Sequence, residues 1–136
     1  MEVDYSRLIT VEQIVEQAPA ITHGTMRHWL FYRNKNLLAT AILKLDQSIF
    51  IDIDRFNTWL SLDKDEVSDF RDLRTKQQIL ENSLLKPGTF DNWLRNRHWN
   101  GLEEAVIKKG ERRLFIDIFK FNNWIRNNNS NPEFGS

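Results

Sequence analysis

Large apolar residues recur along the chain with the spacing of one helical face, and they do so four times. Each set has members at i, i+3 and i+4, which places the side chains on the same side of an α-helix. The sets are Met26, Trp29 and Leu30; Phe56, Trp59 and Leu60; Phe90, Trp93 and Leu94; and Phe121, Trp124 and Ile125. The pattern predicts four amphipathic helices that each bury a tryptophan.

The second half of the chain repeats the first. The run that begins at Thr10 returns at Thr75, the run at Gly24 returns at Gly88, and the run at Phe50 returns at Phe115. Thr75 follows Thr10 by 65 residues and Phe115 follows Phe50 by 65, whereas Gly88 follows Gly24 by only 64. One residue is therefore lost and regained, and the pattern places its return near Leu37 and Leu102. Two copies of a small unit, rather than one domain, explain this repeat.

Each copy begins with a short predicted helix. Thr10 and Thr75 are predicted N-caps, and Gln13 and Gln78 stand three residues later, as a capping box requires. A break that contains proline separates this helix from the next one. Two short helices joined by a tight turn form a helix-turn-helix.

Two strands and a final helix complete each copy. The predicted strands cover residues 41–45 and 48–53, then 105–109 and 112–118. Gly110 and Glu111 form a predicted two-residue tip, because glycine supplies the positive φ that tight hairpins favour. Asp52 or Asp54 is expected to cap the final helix of the first copy.

The predicted fold class is α+β, with two tandem winged helix-turn-helix units at residues 1–60 and 75–126. Residues 61–74 contain no glycine or proline and have apolar residues every third position, which predicts a helical linker. The Asn-rich residues 127–136 are expected to be a disordered tail. The last four of them resemble vector-derived sequence.

Charge differs between the copies although the whole chain has a formal net charge of +0. Residues 75–126 carry ten Lys and Arg against six Asp and Glu, whereas residues 1–60 carry six against seven. The second copy is therefore the better candidate for contact with an anionic partner. The chain has no cysteine and no apolar run of about 18 residues, which favours a cytoplasmic protein without a membrane partner.

Three groups of residues carry a family resemblance. They are the run Thr25-Met26-Arg27-His28-Trp29-Leu30, the run Asn100-Gly101-Leu102, and a strand ending in Phe-Ile-Asp before Phe-x-x-Trp. Together they resemble the excisionase-like branch of the MerR-type winged helix superfamily, over about residues 8–60 and 75–126. The resemblance implies a small DNA-binding protein of a mobile element, which acts as a recombination directionality factor or a transcriptional regulator. Tandem copies in one chain depart from that family, and would replace two monomers on adjacent sites.

The second helix of a helix-turn-helix enters the major groove of DNA, so its exposed face is the first candidate site. In the second unit the candidates are Lys86, Thr89, Asn92, Arg95, Asn96 and Arg97, with Trp99 beyond them. Arg pairs with guanine edges and Asn with adenine edges. A solvated polar face is the alternative, and Asp91 argues for it because phosphates repel a carboxylate.

The hairpin of the second unit is the other basic candidate. Its cations are Lys108, Lys109, Arg112 and Arg113. They are expected to contact backbone phosphates or to enter the minor groove. The alternative is a charged edge that prevents strand pairing between molecules. The first hairpin has only Lys44 against Asp46, which makes it a poor phosphate binder.

The first unit presents a mixed face on its second helix. Thr25, Arg27 and His28 suit DNA contact, whereas Phe31 and Tyr32 are adjacent and cannot both be buried on one helix face. Exposed aromatic residues mark protein interfaces as readily as base contacts. Weaker DNA contact and protein–protein contact both remain open for this unit.

No catalytic or metal-binding pattern accompanies these candidates. The three histidines lack ligand spacing, and neither a Ser/His/Asp set nor a phosphate-binding Gly-rich loop is present. We expect a protein that is not an enzyme and has no cofactor, metal or small-molecule ligand. Its predicted partner is double-stranded DNA, with a recombinase or a second copy of itself as further partners. The alternative is a protein–protein interaction module that has lost DNA binding.

Overall fold

The computed structural model describes residues 5–110 and 113–128. Internal contacts divide the chain into two compact units between Arg71 and Asp72. Each unit combines α-helices with a three-stranded antiparallel sheet, so the α+β class predicted from the sequence is confirmed. Unit 1 has the predicted order of two helices, a β-hairpin and a final helix, whereas unit 2 has an additional short helix before its hairpin.

Unit 1 has a sheet in the order β1-β3-β2. Its elements are β1 (Leu8–Ile9), α1 (Val11–Gln17), α2 (His23–Phe31), β2 (Ile42–Leu45), β3 (Ser48–Asp52) and α3 (Ile53–Leu60). A two-residue turn joins β2 to β3, and Asp46 has φ +56° there. Aspartate is one of the few residues that tolerates this left-handed conformation, so the turn forms without glycine.

Unit 2 has the matching sheet order β4-β6-β5. Its elements are β4 (Leu73–Thr75), α4 (Lys76–Glu81), α5 (Pro87–Arg95), α6 (Arg97–Asn100), β5 (Val106–Lys109), β6 (Arg113–Asp117) and α7 (Ile118–Asn128). The short α6 was not predicted from the sequence. Gly101 ends it with φ +85°, a conformation that favours glycine.

The predicted helix caps are confirmed. The Gln13 N–H donates to Thr10 Oγ1 at 3.1 Å, and Gln13 Oε1 accepts from the Thr10 N–H at 2.9 Å. Thr75 and Gln78 make the same two bonds at the same distances. At the final helix of unit 1, Asp52 is the cap and accepts from the Arg55 N–H at 3.0 Å.

The extra residue of the second copy lies in its hairpin connection, which corrects two sequence predictions. Two residues separate β2 from β3, whereas three residues, 110–112, separate β5 from β6. The residue offset between the two copies therefore does not change near Leu37 and Leu102, where the sequence predicted that the lost residue is regained. It changes only at the hairpin. Glu111 of the predicted two-residue tip lies outside the described residues, but the pairing of Lys109 with Arg113 leaves three residues between the strands instead of two.

Both sheets gain a third strand that the hydrophobic pattern did not predict. In β1, Ile9 lies opposite Ile51, and in β4, Arg74 lies opposite Ile116. These strands have two and three residues, so they are too short to show the alternation that identifies a strand. Each of them is an edge strand next to the central strand, β3 or β6, and the first helix of the unit starts from that edge.

The continuous helical linker predicted over residues 61–74 is wrong, because the segment contains one 3₁₀ turn, Phe70–Asp72, followed by strand β4. The Ser68 N–H donates to Ser61 Oγ at 2.8 Å, and the Phe70 N–H donates to Asn57 Oδ1 at 2.9 Å. Both N–H groups are therefore bonded to side chains of α3 or its C-cap, Ser61, rather than to the carbonyl oxygens of a continuous helix. Phe70 is fully buried, and the segment packs as part of unit 1 up to Arg71.

The prediction that four tryptophans are buried is right for unit 1 and wrong for unit 2. Trp29 and Trp59 are each 3% exposed and meet edge-on with centroids 5.2 Å apart. Trp93 and Trp124 keep that geometry at 5.1 Å but are half-buried. In unit 1, Leu37 and Leu62 line the same cavity as Trp59. Gly101 and Asn127 stand at the equivalent positions of unit 2 and cover less of Trp124.

Two further features concern the described residues as a whole. None of their helices combines the length and the apolar character needed to cross a membrane. Within the same residues, no three His, Asp or Glu side chains cluster as metal ligands would. Asn127 and Asn128 of the predicted tail belong to α7, and positions 129–136 lie outside the described residues.

Candidate nucleic-acid interface

The helix α5 has one buried face and one polar face. Phe90 is fully buried and Leu94 is 8% exposed, so these residues fix the helix against the core of unit 2. The predicted site residues of the other face are all exposed: Lys86, Thr89, Asn92, Arg95 and Asn96. The structure therefore brings together on one helix amide and guanidinium groups, the types of side chain that can hydrogen-bond to base edges.

Two of these residues are hydrogen-bonded to each other. Asn96, the C-cap of α5, donates from Nδ2 to the Asn92 backbone oxygen at 3.0 Å and to Asn92 Oδ1 at 3.2 Å. This bond holds the Asn92 side chain in one orientation on the helix surface. An oriented amide loses less conformational entropy when it binds than a freely rotating one.

Asp91, which argued against nucleic-acid contact, is paired. Its carboxylate forms an ion pair with the Lys76 ammonium group at the start of α4. Both side chains are about 40% exposed, so the pair adds little stability. Its main effect is to cancel a negative charge beside the polar face of α5.

Arg97 is part of the framework of unit 2. Its Nε donates to Glu103 Oε2 at 2.6 Å, and its Nη1 donates to the Leu94 carbonyl oxygen at 2.8 Å. Arg33, at the equivalent position of unit 1, donates from Nη1 to the Leu30 carbonyl at the same distance. The bond to the end of the second helix is therefore a repeated structural feature. The structure does not bring Arg97 together with the exposed side chains of α5.

The hairpin of unit 2 places three of its four predicted cations within the described strands. Lys108 is exposed, and Lys109 and Arg113 are half-buried and lie directly opposite each other in the register. Lys108 points to the other side of the sheet, because side chains alternate along a strand. Arg112 lies outside the described residues.

Trp99 extends the candidate surface beyond α5. It belongs to α6 and is 89% exposed, although it is among the largest apolar side chains. A tryptophan in water leaves a large apolar area unburied, and such exposure marks a candidate interaction site. Its flat ring can stack on a base or on another planar group.

The polar candidates of unit 1 are only partly available. Thr25 Oγ1 accepts a 3.1 Å hydrogen bond from the Thr22 hydroxyl group, so this site residue belongs to the N-cap of α2. Arg27 and His28 are exposed. In the hairpin, Lys44 is also exposed.

An exposed aromatic group occupies the rest of the same face in unit 1. Phe31 is 77% exposed and Tyr32 is 40% exposed, and their rings meet edge-on at 4.8 Å. The His28 ring lies 4.9 Å from the Tyr32 ring, and the Lys35 ammonium group lies 5.9 Å from it. We refer to His28, Phe31, Tyr32 and Lys35 as the aromatic patch.

The aromatic patch and the polar face of α5 stand at equivalent positions. When the repeat is aligned on Gly24 and Gly88, the patch residues correspond in order to Asn92, Arg95, Asn96 and Trp99. One copy therefore presents aromatic rings where the other presents amide and guanidinium groups. The duplicated scaffold carries two different surface chemistries.

One ion-pair partner of α5 was missed from the sequence. Lys76 was not predicted to matter, although it neutralises Asp91. A comparison of the copies contains the signal: Val11 and Arg27 stand at the equivalent positions, so neither member of the pair is present in unit 1. This joint difference is the trace that the ion pair leaves in the sequence.

Comparison with protein-family models, curated proteins and solved structures gives no match to this chain. The exposed side chains are therefore the basis for assigning a function.

Proposed function

We propose that this chain is a non-catalytic, sequence-specific DNA-binding protein, in which both units are winged helix-turn-helix folds. In this proposal α5 of unit 2 is the helix that enters the major groove. The hairpin of unit 2 is the wing. The resemblance to excisionase-like proteins supports a role on a mobile element, in recombination or in transcription.

The observation that carries the proposal is the division of α5 into two faces. Phe90 and Leu94 anchor the helix, which leaves Thr89, Asn92 and Arg95 exposed on the opposite side. Arg95 suits a bidentate contact with guanine, and Asn92 suits one with adenine. The side chains sit on a rigid helix, so their spacing is fixed before binding.

The excess of basic residues in the second copy supports a phosphate-contacting role for its hairpin. Lys108 is exposed on the strand that leads to the tip. Each phosphate contact releases counterions and makes binding depend on salt. Arg97 is not included in this interface, since its donors are bonded to Glu103 and the Leu94 carbonyl.

A selection from random-sequence duplexes followed by anisotropy measurements tests the proposal. We expect the full chain to enrich a preferred site and to bind it more tightly than unselected DNA. Arg95→Ala should weaken binding to the selected site by about 1–3 kcal/mol and affect unselected DNA less. Arg126→Ala is the matched control, because Arg126 is exposed on α7 of the same unit but away from α5 in sequence. Failure to enrich any sequence, with no binding at low salt, would reject DNA binding.

The salt dependence tests the wing separately. Lys108→Ala should make the slope of log K against log salt shallower by about 0.9, the value for one lost phosphate contact. Lys44→Ala at the equivalent position of unit 1 is the control and should leave the slope unchanged. Equal effects of the two substitutions would contradict the assignment of the wing to unit 2.

The aromatic patch supports a second candidate function, a protein–protein interaction module. Phe31 exposes most of its ring to water beside Tyr32 and His28, a composition typical of protein interfaces. Phe31→Ala should then abolish binding to a protein partner or to a second copy without weakening DNA binding. Loss of DNA affinity in Phe31→Ala would instead place unit 1 on the DNA.

A further inference from the structure

A groove opens in unit 2 between α4 and α7. It has a volume of about 440 Å³, within the range of ligand-binding pockets. Its lining includes Gln78, Ile79, Leu85, Phe121, Asn122 and Ile125. Apolar side chains alternate in the lining with the amides of Gln78, Asn82 and Asn122.

The equivalent place in unit 1 is filled by the chain itself. Phe70 is fully buried, and its ring lies 5.7 Å from the ring of Phe56. Its backbone N–H donates to Asn57 Oδ1 at 2.9 Å. Phe70 is thus held by one aromatic contact and one hydrogen bond from α3.

Both groups that hold Phe70 are present in the groove of unit 2. When the repeat is aligned on Trp59 and Trp124, Phe56 corresponds to Phe121 and Asn57 to Asn122, and both of the latter line the groove. Asn122 is exposed, whereas Asn57 is buried under the segment that it binds. The two residues that bind Phe70 in unit 1 therefore have equivalents in unit 2, where Asn122 is exposed.

The apolar lining shows the same difference. Leu60 is fully buried and Ile21 is 1% exposed in unit 1, whereas their equivalents Ile125 and Leu85 are only half-buried. These side chains keep their apolar character although water reaches them. A bound segment that contributes an aromatic ring would remove these apolar side chains from water.

Charge indicates which residue accompanies the aromatic ring. In unit 1, Asp69 precedes Phe70, and its carboxylate is bound by Arg71. In unit 2, Arg74 is among the residues that line the groove, so a guanidinium group lies on that side. An acidic residue before the phenylalanine therefore complements the groove.

We propose that this groove binds a peptide segment of another protein that contains an acidic residue followed by phenylalanine. The phenylalanine ring packs against Phe121, and its backbone N–H donates to Asn122 Oδ1. The inference does not depend on DNA binding, since none of the groove residues belongs to the proposed DNA interface.

A synthetic peptide with the sequence of residues 61–71 is the probe, because it carries the Asp-Phe pair that fills unit 1. Titration into the isotopically labelled full chain, followed by NMR, should give saturable shifts at Ile79, Asn122 and Ile125. The equivalent signals of unit 1 should not move, because Phe70 already occupies its groove. Absence of saturable shifts in unit 2 overturns the proposal.

Two changes in the peptide and one in the protein isolate the contacts. Replacing the peptide phenylalanine by alanine should weaken binding at least about tenfold, since the apolar burial is lost. N-methylation of the same residue removes the N–H donor and should weaken binding about fivefold. Asn122→Ala should weaken the unmodified peptide by a similar factor and make N-methylation harmless. Independent effects of the two changes would contradict the bond to Asn122.

Other occupants are separate outcomes of the same experiment. Glu133 and Phe134 near the end of this chain form the same acidic-phenylalanine pair. If the peptide binds only when Phe134→Ala is introduced, the chain's own end fills the groove and the proposal is overturned. If Asn122→Ala abolishes self-association in sedimentation experiments, a second copy is the occupant and the proposal is again overturned. Peptide binding to the unaltered chain, with dependence on Asn122, supports the proposal.

Discussion

The indole N–H of Trp124 donates a 2.8 Å hydrogen bond to the backbone carbonyl of Asn100. The Asn100 side chain donates from Nδ2 to the Trp93 carbonyl at 3.1 Å and accepts the Leu102 N–H at 2.9 Å. One asparagine thus connects the end of the second helix, the start of the next turn and the final helix. Unit 1 repeats all three bonds around Asn36, including a 2.6 Å bond from the Trp59 indole to its carbonyl.

We expect Asn100→Ala and Asn36→Ala to destabilise their units by about 1–3 kcal/mol each, because part-buried backbone groups lose their partners. Urea unfolding monitored by tryptophan fluorescence measures the change. Asn34→Ala, at an exposed position two residues before Asn36, is the control and should have an effect within about 0.5 kcal/mol. An equally small effect at Asn36 would show that its side-chain bonds do not stabilise the unit.

The two final-helix tryptophans should differ in their contributions. Trp59→Ala removes a side chain that is 3% exposed and should cost about 3–5 kcal/mol, as large-to-small core substitutions do. Trp124→Ala should cost less, because its ring is only half-buried. Equal losses of unfolding free energy in the two variants would contradict the burial difference between the units.

Local features of the fold were predictable from the sequence, and tertiary ones were not. The capping boxes at Thr10 and Thr75 depend on residues three positions apart, so the sequence displays them directly. The role of Phe70 depends on Asn57 and Phe56, which belong to a helix that ends well before it in the chain. Phe70 is one of the apolar residues at every third position of residues 61–74, and that spacing predicted a helix. A short periodic run does not show which element its residues pack against.

The same distinction applies to the candidate interface. The exposed positions of Thr89, Asn92 and Arg95 follow from the helical period once Phe90 and Leu94 are assigned to the core. The ion pair of Arg97 could not be predicted from the helical period, since its acidic partner Glu103 lies beyond the turn that follows α6. Sequence periodicity identifies which face is exposed, whereas ion pairs decide which of its charges are available.

Two glycines should respond to the same substitution with opposite signs. Gly101 has φ +85°, and an added Cβ would meet the Trp124 ring at an ordinary 3.8 Å, so only the backbone is strained. Gly101→Ala should therefore destabilise unit 2 by about 1–2 kcal/mol. Gly88 lies in α5 with open space around an added Cβ, so Gly88→Ala should stabilise by about 0.5–1 kcal/mol. Denaturant midpoints measure both, and a loss of stability in Gly88→Ala would contradict its placement in the helix.

Acid should weaken unit 1 through Asp69. Hydrogen bonds from the Arg71 side chain hold the pKa of Asp69 below its ordinary value of 3.8. A carboxyl group with a lowered pKa stabilises the folded state above the pKa of the unfolded chain, and this contribution is lost as the pH falls through the folded pKa. Stability measured by urea unfolding should therefore fall with pH below about 4, and Asp69→Asn should fall less steeply. Arg71→Ala, which removes the cause, should behave like Asp69→Asn, and an unchanged slope in either variant would contradict this role.

The ion pair between Lys76 and Asp91 should control how strongly α5 attracts phosphates. Lys76→Ala leaves the Asp91 carboxylate without this ammonium group beside the proposed DNA interface, so affinity for DNA should fall. Asp91→Asn removes the carboxylate and should raise the affinity for DNA. The double variant should regain the affinity that Lys76→Ala loses, because no uncompensated negative charge remains.

The expected changes in affinity are a few-fold at low salt and shrink as salt increases, since screening weakens contacts between exposed charges. Anisotropy measurements at two salt concentrations test this order. A matched Arg27→Ala substitution, at the position equivalent to Asp91, reports whether unit 1 touches the same DNA. If Lys76→Ala and Asp91→Asn change affinity in the same direction, the pair does not act through charge on α5.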